Sequence, residues 1–148
     1  MSVCQLCDQW VEQLNEFLLT LESEFNALKS NHADLITQVA QRKLSQLDGI
    51  SQTERALQAV LPDIPASQIG AYVLIHCPQS IASSRLVPLT KEIQQANQRN
   101  GMLLQSLMRL NEFGLNLLSG KIDACDTYGA SGQVKTATPI SSLKLATA

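Results

Sequence analysis

Apolar residues recur every three or four positions along three stretches of the chain, and that spacing predicts three amphipathic helices. The first covers about residues 4–29. Cys7, Val11, Leu14, Leu18, Leu21, Phe25 and Leu28 alternate by four and three, an a/d seam kept over three heptads. Trp10 and Phe17 widen the stripe, as suits a helix that touches two neighbours. The second helix covers about residues 32–61, with a seam of Ile36, Ala40, Lys43, Leu47, Ile50, Glu54, Leu57 and Leu61. Lys43 and Glu54 make this seam weaker, although long side chains can lie along it and keep their charge in water. Between the two, Ser30-Asn31-His32-Ala33-Asp34 reads as a break and restart, with Asn31 as N-cap and Asp34 at N3. One continuous helix through Ser30 is the alternative. Gly49 costs about 1 kcal/mol against Ala inside a helix. Ser51 and Glu54 have capping-box spacing, so a kink near Gly49 is open.

The third helix covers about residues 84–119, with Pro88 in its first turn, where proline is tolerated. Its seam is Leu89, Ile93, Ala96, Asn100, Leu103, Leu107, Leu110, Gly114 and Leu117, and Gly120 is its stop. A Pro-rich connection, residues 62–83, carries Pro62, Pro65 and Pro78; the apolar run Ile69 to Ile75 inside it is a short helix or a packed loop. Beyond Gly120 the periodicity ends. Residues 127–148 are rich in Thr, Ser, Gly and Ala and bury too little to offset their ordering entropy. The expectation is an all-α chain. Long antiparallel helices form a three-helix, coiled-coil-like bundle over residues 1–120, and residues 121–148 form a flexible interaction tail.

Composition sharpens that picture. Aromatics are only 4% and Leu dominates, which suits helix–helix packing better than a β-sandwich. A net charge of −2 with no Lys or Arg run argues against nucleic-acid binding. No apolar stretch is long enough to span a membrane, and the first residues lack the pattern of a signal peptide. A cytoplasmic location is expected, and with it mostly reduced thiols at Cys4, Cys7, Cys77 and Cys125.

Candidate chemistry is thin. Cys4-x-x-Cys7 lacks the second ligand pair of a zinc site and opens a helix instead of following a strand, so small thiols are the simpler reading. His32 and His76 stand alone, and no nucleophile, metal or phosphate-loop motif occurs. No catalytic, metal or cofactor residue is assigned, and an enzyme is not expected. Two clusters stand out. Asn97-Gln98-Arg99-Asn100-Gly101, then Leu103, Leu104 and Asn111, is unfavourable composition for a helix interior. Either Asn100 sets register in the seam and Gly101 permits close helix approach, or the cluster edges a groove for another amphipathic helix. In Tyr128-Gly129-Ala130-Ser131-Gly132-Gln133, a flexible turn competes with Tyr128 as an aromatic anchor for a partner.

Together these two clusters resemble the FlgN family of flagellar export chaperones, as an N-x-x-N-G helix motif followed by Y-G-x-x-G-Q. Lys43 matches a recurrent lysine of that family, while Ala96 and Ser131 depart from its usual residues. The resemblance implies a small cytoplasmic chaperone that uses no nucleotide. It would bind the C-terminal helical segment of hook-associated proteins of the hook–filament junction, prevent their premature self-association and deliver them to the flagellar type III export gate. A tail tyrosine matching Tyr128 is implicated in docking to that gate. The partner-binding residues expected on the third helix are Asn97, Asn100, Gly101, Leu103, Leu104, Leu107, Met108 and Asn111; in the tail they are Tyr128, Gly129 and Gly132. Two other functions compete: a homodimeric coiled-coil structural or adaptor protein, and a metal or redox sensor built on Cys4 and Cys7.

Overall fold

A computed structural model describes residues 2–120, and the backbone alone of residues 127–128 and 134–135, with the side chain of residue 66 left aside. Four helices follow in order: α1 (Val3–Ser30), α2 (Ala33–Val60), α3 (Ile69–His76) and α4 (Ile81–Leu118). A 3-10 turn, Ala66–Gln68, leads into α3. Two-residue strands β1 (Thr127–Tyr128) and β2 (Val134–Lys135) pair antiparallel, Tyr128 opposite Val134. Compactness divides the chain at Ser106/Leu107, inside α4, into units of residues 1–106 and 107–148. The expected boundary was the helix end near residue 120.

In the first unit α1 starts on a capping box: the Gln5 amide N–H reaches the Ser2 hydroxyl while Ser2 N–H reaches the Gln5 side chain. It ends at Asn31, and here the sequence expectation is corrected. Asn31 does not cap α2; it closes α1 in the left-handed region, φ 51°. The next N–H, of His32, returns to the Ala27 carbonyl at 3.4 Å. Asn tolerates this conformation better than most residues, and its own N–H bonds the Ala27 and Leu28 carbonyls at the helix end. His32 takes the N-cap position of α2 with no side-chain bond, and Asp34 still lies in the first turn, where its charge suits the dipole. The helix breaks at Asn31, and α2 then continues unbroken through Gly49.

The α1 seam packs largely as its pattern predicts. Cys7, Val11, Leu14, Leu21 and Leu28 are buried, with Trp10 and Phe17 beside them, and Leu18 and Phe25 are half-buried. The seam of α2 shifts by one residue at alternate positions. Val39, Gln46 and Thr53 turn inward, while Ala40 and Leu47 are exposed and Glu54 is half-buried. The inward column mixes polar and apolar residues, so hydrophobicity alone pointed to the column beside it. Only Ile50, Thr53 and Leu57 of α2 are buried. At about 1.5–3 kcal/mol for each fully buried aliphatic side chain, α1 carries more of the core than α2.

The Pro-rich connection folds into α3, whose Ile69 and Val73 are buried in the core with Leu86 and Leu89 of α4. A Cβ on Gly70 would stand 2.8 Å from Val87 Cγ2, so α3 lies close against α4 at that point. Helix α4 begins three residues earlier than expected, and Pro88 lies inside it, not in its first turn. The cause is a cap supplied from another helix. Asp8 of α1 accepts the Ser80 hydroxyl and the Ala82 N–H, the latter at 3.0 Å, and Ser80 Oγ accepts the same N–H at 3.1 Å. A carboxylate at a helix start satisfies free N–H groups and meets the positive end of the dipole. Pro88 and Ser84 are both exposed, so the carbonyl left without its usual donor meets water.

Candidate functional site

The Asn-rich cluster of α4 splits between two faces. Asn100 is buried, and its Nδ2 donates to the Leu21 carbonyl at 2.7 Å and to Glu24 Oε2 at 2.9 Å. Glu24 in turn holds Lys43 Nζ of α2 at 3.0 Å, and the same ammonium donates to Asn97 Oδ1 at 3.0 Å. Four side chains from three helices therefore form one connected polar group across the first unit. Lys43 and Glu24 are mostly buried, at 21% and 18% side-chain exposure, so their charges are less screened than those of a surface pair. Arg99 closes the next turn: it reaches Glu22 at 3.1 Å and lies 4.0 Å over the Phe25 ring.

This geometry decides what Asn100 does. Its amide is spent inside the bundle, in the role of a register-setting residue, and little of it is left for a partner to touch. For Gly101 the close-approach alternative fails. It is exposed, and a Cβ there would meet nothing within 4 Å, so no close helix approach requires it. Gly114 is half-buried, and a Cβ there would likewise meet nothing within 4 Å among the described residues.

The other candidate residues of α4 lie outward or half-outward. Leu103 is half-buried, and Met102 and Leu104 are exposed in the first unit. In the second unit Leu107 is half-buried, and Met108, Leu110, Asn111, Phe113, Leu115, Leu117 and Leu118 are exposed. Within the second unit Met108, Asn111 and Leu115 recur at three and four, which is one face of a helix. Tyr128 is placed by its backbone in β1, while Gly129 and Gly132 lie outside the described residues. Of the expected flexible tail only four residues are described.

The chain matches the family model described as FlgN protein over residues 1–136. It belongs to the FlgN family. A FlgN-family chain is a flagellar export chaperone in general terms, and the family is one of chaperones, not enzymes. No curated protein and no solved structure matches the chain.

The thiol expectation for this FlgN-family chain needs correction. Cys4 is bonded to Cys77, not left reduced, and the Cys4-x-x-Cys7 spacing is not used as a pair. The two sulfurs meet because α3 folds back on the start of α1, a contact that 73 residues of separation hide from a sequence pattern. Cys7 is free and buried, and burial, then the charge of Asp8, pushes its thiol above the ordinary 9.0. Cys125 lies outside the described residues. Among the described residues no three His, Cys, Asp or Glu side chains are grouped to hold a metal, and no helix is long and apolar enough to cross a membrane.

Proposed function

We propose that this FlgN-family chain is a cytoplasmic type III flagellar export chaperone whose cargo is the C-terminal helical segment of hook-associated proteins of the hook–filament junction. The outward apolar residues of α4 hold that segment and keep it from self-associating. The tail, with Tyr128, Gly129 and Gly132, then presents the complex to the export gate. One observation carries the reading: α4 spends its polar side chains, Asn97 and Asn100, on its own bundle, yet leaves Leu104, Met108 and Leu115 exposed. Large apolar side chains repeated along one helix face mark a binding surface for another amphipathic helix. Roughly 800 Å² buried on each partner suffices for a specific complex. Asn111 belongs to that surface, and Gly101, Leu103 and Leu107 flank it.

Copurification tests the assignment. The chain is expected to hold an equimolar, soluble complex with a C-terminal fragment of a hook-associated protein. Leu104→Glu with Met108→Glu should abolish the complex at unchanged helicity. Unchanged binding by that variant would remove α4 as the cargo site.

A homodimer is the second reading, favoured by Leu44 and Leu47, which α2 leaves 68% and 40% exposed. Sedimentation of the free chain separates the two: a stable dimer that Leu44→Glu breaks supports the second, and a monomer supports the first.

A further inference from the structure

Cys4, in the first turn of α1, is joined to Cys77, the residue that closes α3, with their Cα atoms 5.7 Å apart. Helix α3 has few other anchors. Ile69 and Val73 are its buried residues, whereas Leu74 and Ile75 on its other side are exposed. A cleft of about 420 Å³ opens beside the bond, lined by both cysteines with Gln5, Asp8, His76 and Gln79. Cys4 is half-buried and Cys77 only 4% exposed, so a reagent in the cleft reaches the Cys4 sulfur first. Cys7, one helical turn beyond Cys4, is the nearby thiol that could scramble the pair. Its burial keeps it protonated, and the thiolate is the form that attacks.

We propose that Cys4 and Cys77 form a reversible dithiol–disulfide site that latches α3 to the start of α1. In the opening direction a thiolate of a dithiol reductant attacks Cys4 Sγ, and Cys77 leaves as a thiolate and takes a proton. The second thiol of the reductant then resolves the mixed disulfide and frees Cys4. Two electrons and two protons pass to the chain, and the reductant ends as a disulfide. Glutathione disulfide drives the reverse reaction and leaves as two glutathione thiols. Opening the latch releases α3 from α1 but leaves the polar group around Asn100, at Leu21 and Glu24, untouched.

The full-length chain is equilibrated with glutathione disulfide or with dithiothreitol, mapped by peptide mass spectrometry and then followed by amide hydrogen exchange. The Cys4–Cys77 cross-link should form, break and re-form reversibly. Reduction should speed exchange across residues 69–80 by about tenfold or more, while residues 14–28 change by less than about twofold. Cys77→Ser, its helicity checked by circular dichroism, should exchange like the reduced chain under both conditions. A bond that uses Cys7 or Cys125 instead, no bond under glutathione disulfide, or equal exchange of residues 69–80 in the two states would overturn the proposal. No cargo enters these measurements, so they stand or fall apart from the chaperone reading.

Discussion

Asn100 of α4 donates its side-chain amide to the backbone carbonyl of Leu21 in α1, 2.7 Å away and buried. A single polar side chain thus fixes where two long helices meet along their length, because a slip of one turn would take the buried Asn100 amide away from both its acceptors. The same amide bonds Glu24, and through it Lys43 and Asn97 join. Apolar seams tolerate sliding; a bond between two specific buried groups does not.

Asn100→Ala should cost about 1–3 kcal/mol, because two amide bonds are lost and the mostly buried Glu24 carboxylate loses a donor. Urea denaturation followed by circular dichroism measures it. A loss under about 0.5 kcal/mol, the range of an ordinary surface substitution, would mean that water replaces the amide and that register is set elsewhere.

Lys43→Met should destabilise at least as much as Asn100→Ala, because it leaves the mostly buried Glu24 carboxylate without its counter-charge. The two substitutions should not add. Both act on Glu24, so a double-mutant cycle should return a coupling of about 0.5 kcal/mol or more. Strict additivity would mean that the side chains act independently.

Gly101→Ala should leave the fold intact and raise stability by up to about 1 kcal/mol, since the added Cβ meets nothing and Ala favours helix. The informative readout is cargo affinity measured beside the melting temperature. A variant that is more stable yet binds more weakly assigns Gly101 to partner contact; equal binding removes it from the site.

Cys7 supplies a pH dependence. Its thiol is pushed above 9.0 in the folded chain by burial and then by Asp8, so above pH 9.0 the unfolded chain loses this proton first. The folded chain then binds more protons than the unfolded one, and stability falls as pH rises through that range; below 9.0 the contribution is fully kept. Denaturation midpoints of the chain and of Cys7→Ala should therefore diverge only at alkaline pH. Parallel profiles up to pH 10 would contradict the assignment.

What the sequence made legible follows from how local each cause is. The α1 seam was readable because its inward residues are nearly all apolar. The inward column of α2 lies one position from its apolar pattern at alternate turns, because Gln46 and Thr53 face inward while Leu44 and Leu47 face out. Asn31 has two helix-end roles open to it, and only the backbone angle distinguishes them. The start of α4 depends on Asp8, 74 positions from the N–H it caps in Ala82, and no window along the chain contains both. At the candidate site, the sequence marked Asn100 as either register or groove. It could not show that Leu21 and Glu24 take up its amide, nor that Leu104 and Met108 are left to solvent.

The inward face of α4 holds the bundle, and the proposed function gives its outward residues to cargo. Calorimetric titration of a hook-associated protein's C-terminal segment into the chain and into Leu104→Glu with Met108→Glu tests it most directly. The account predicts equimolar binding with a negative heat-capacity change, the mark of apolar burial, and loss of binding in the variant at an unchanged melting temperature. Equal affinity in the two proteins, or lost binding accompanied by an unfolded bundle at the assay temperature, would contradict it.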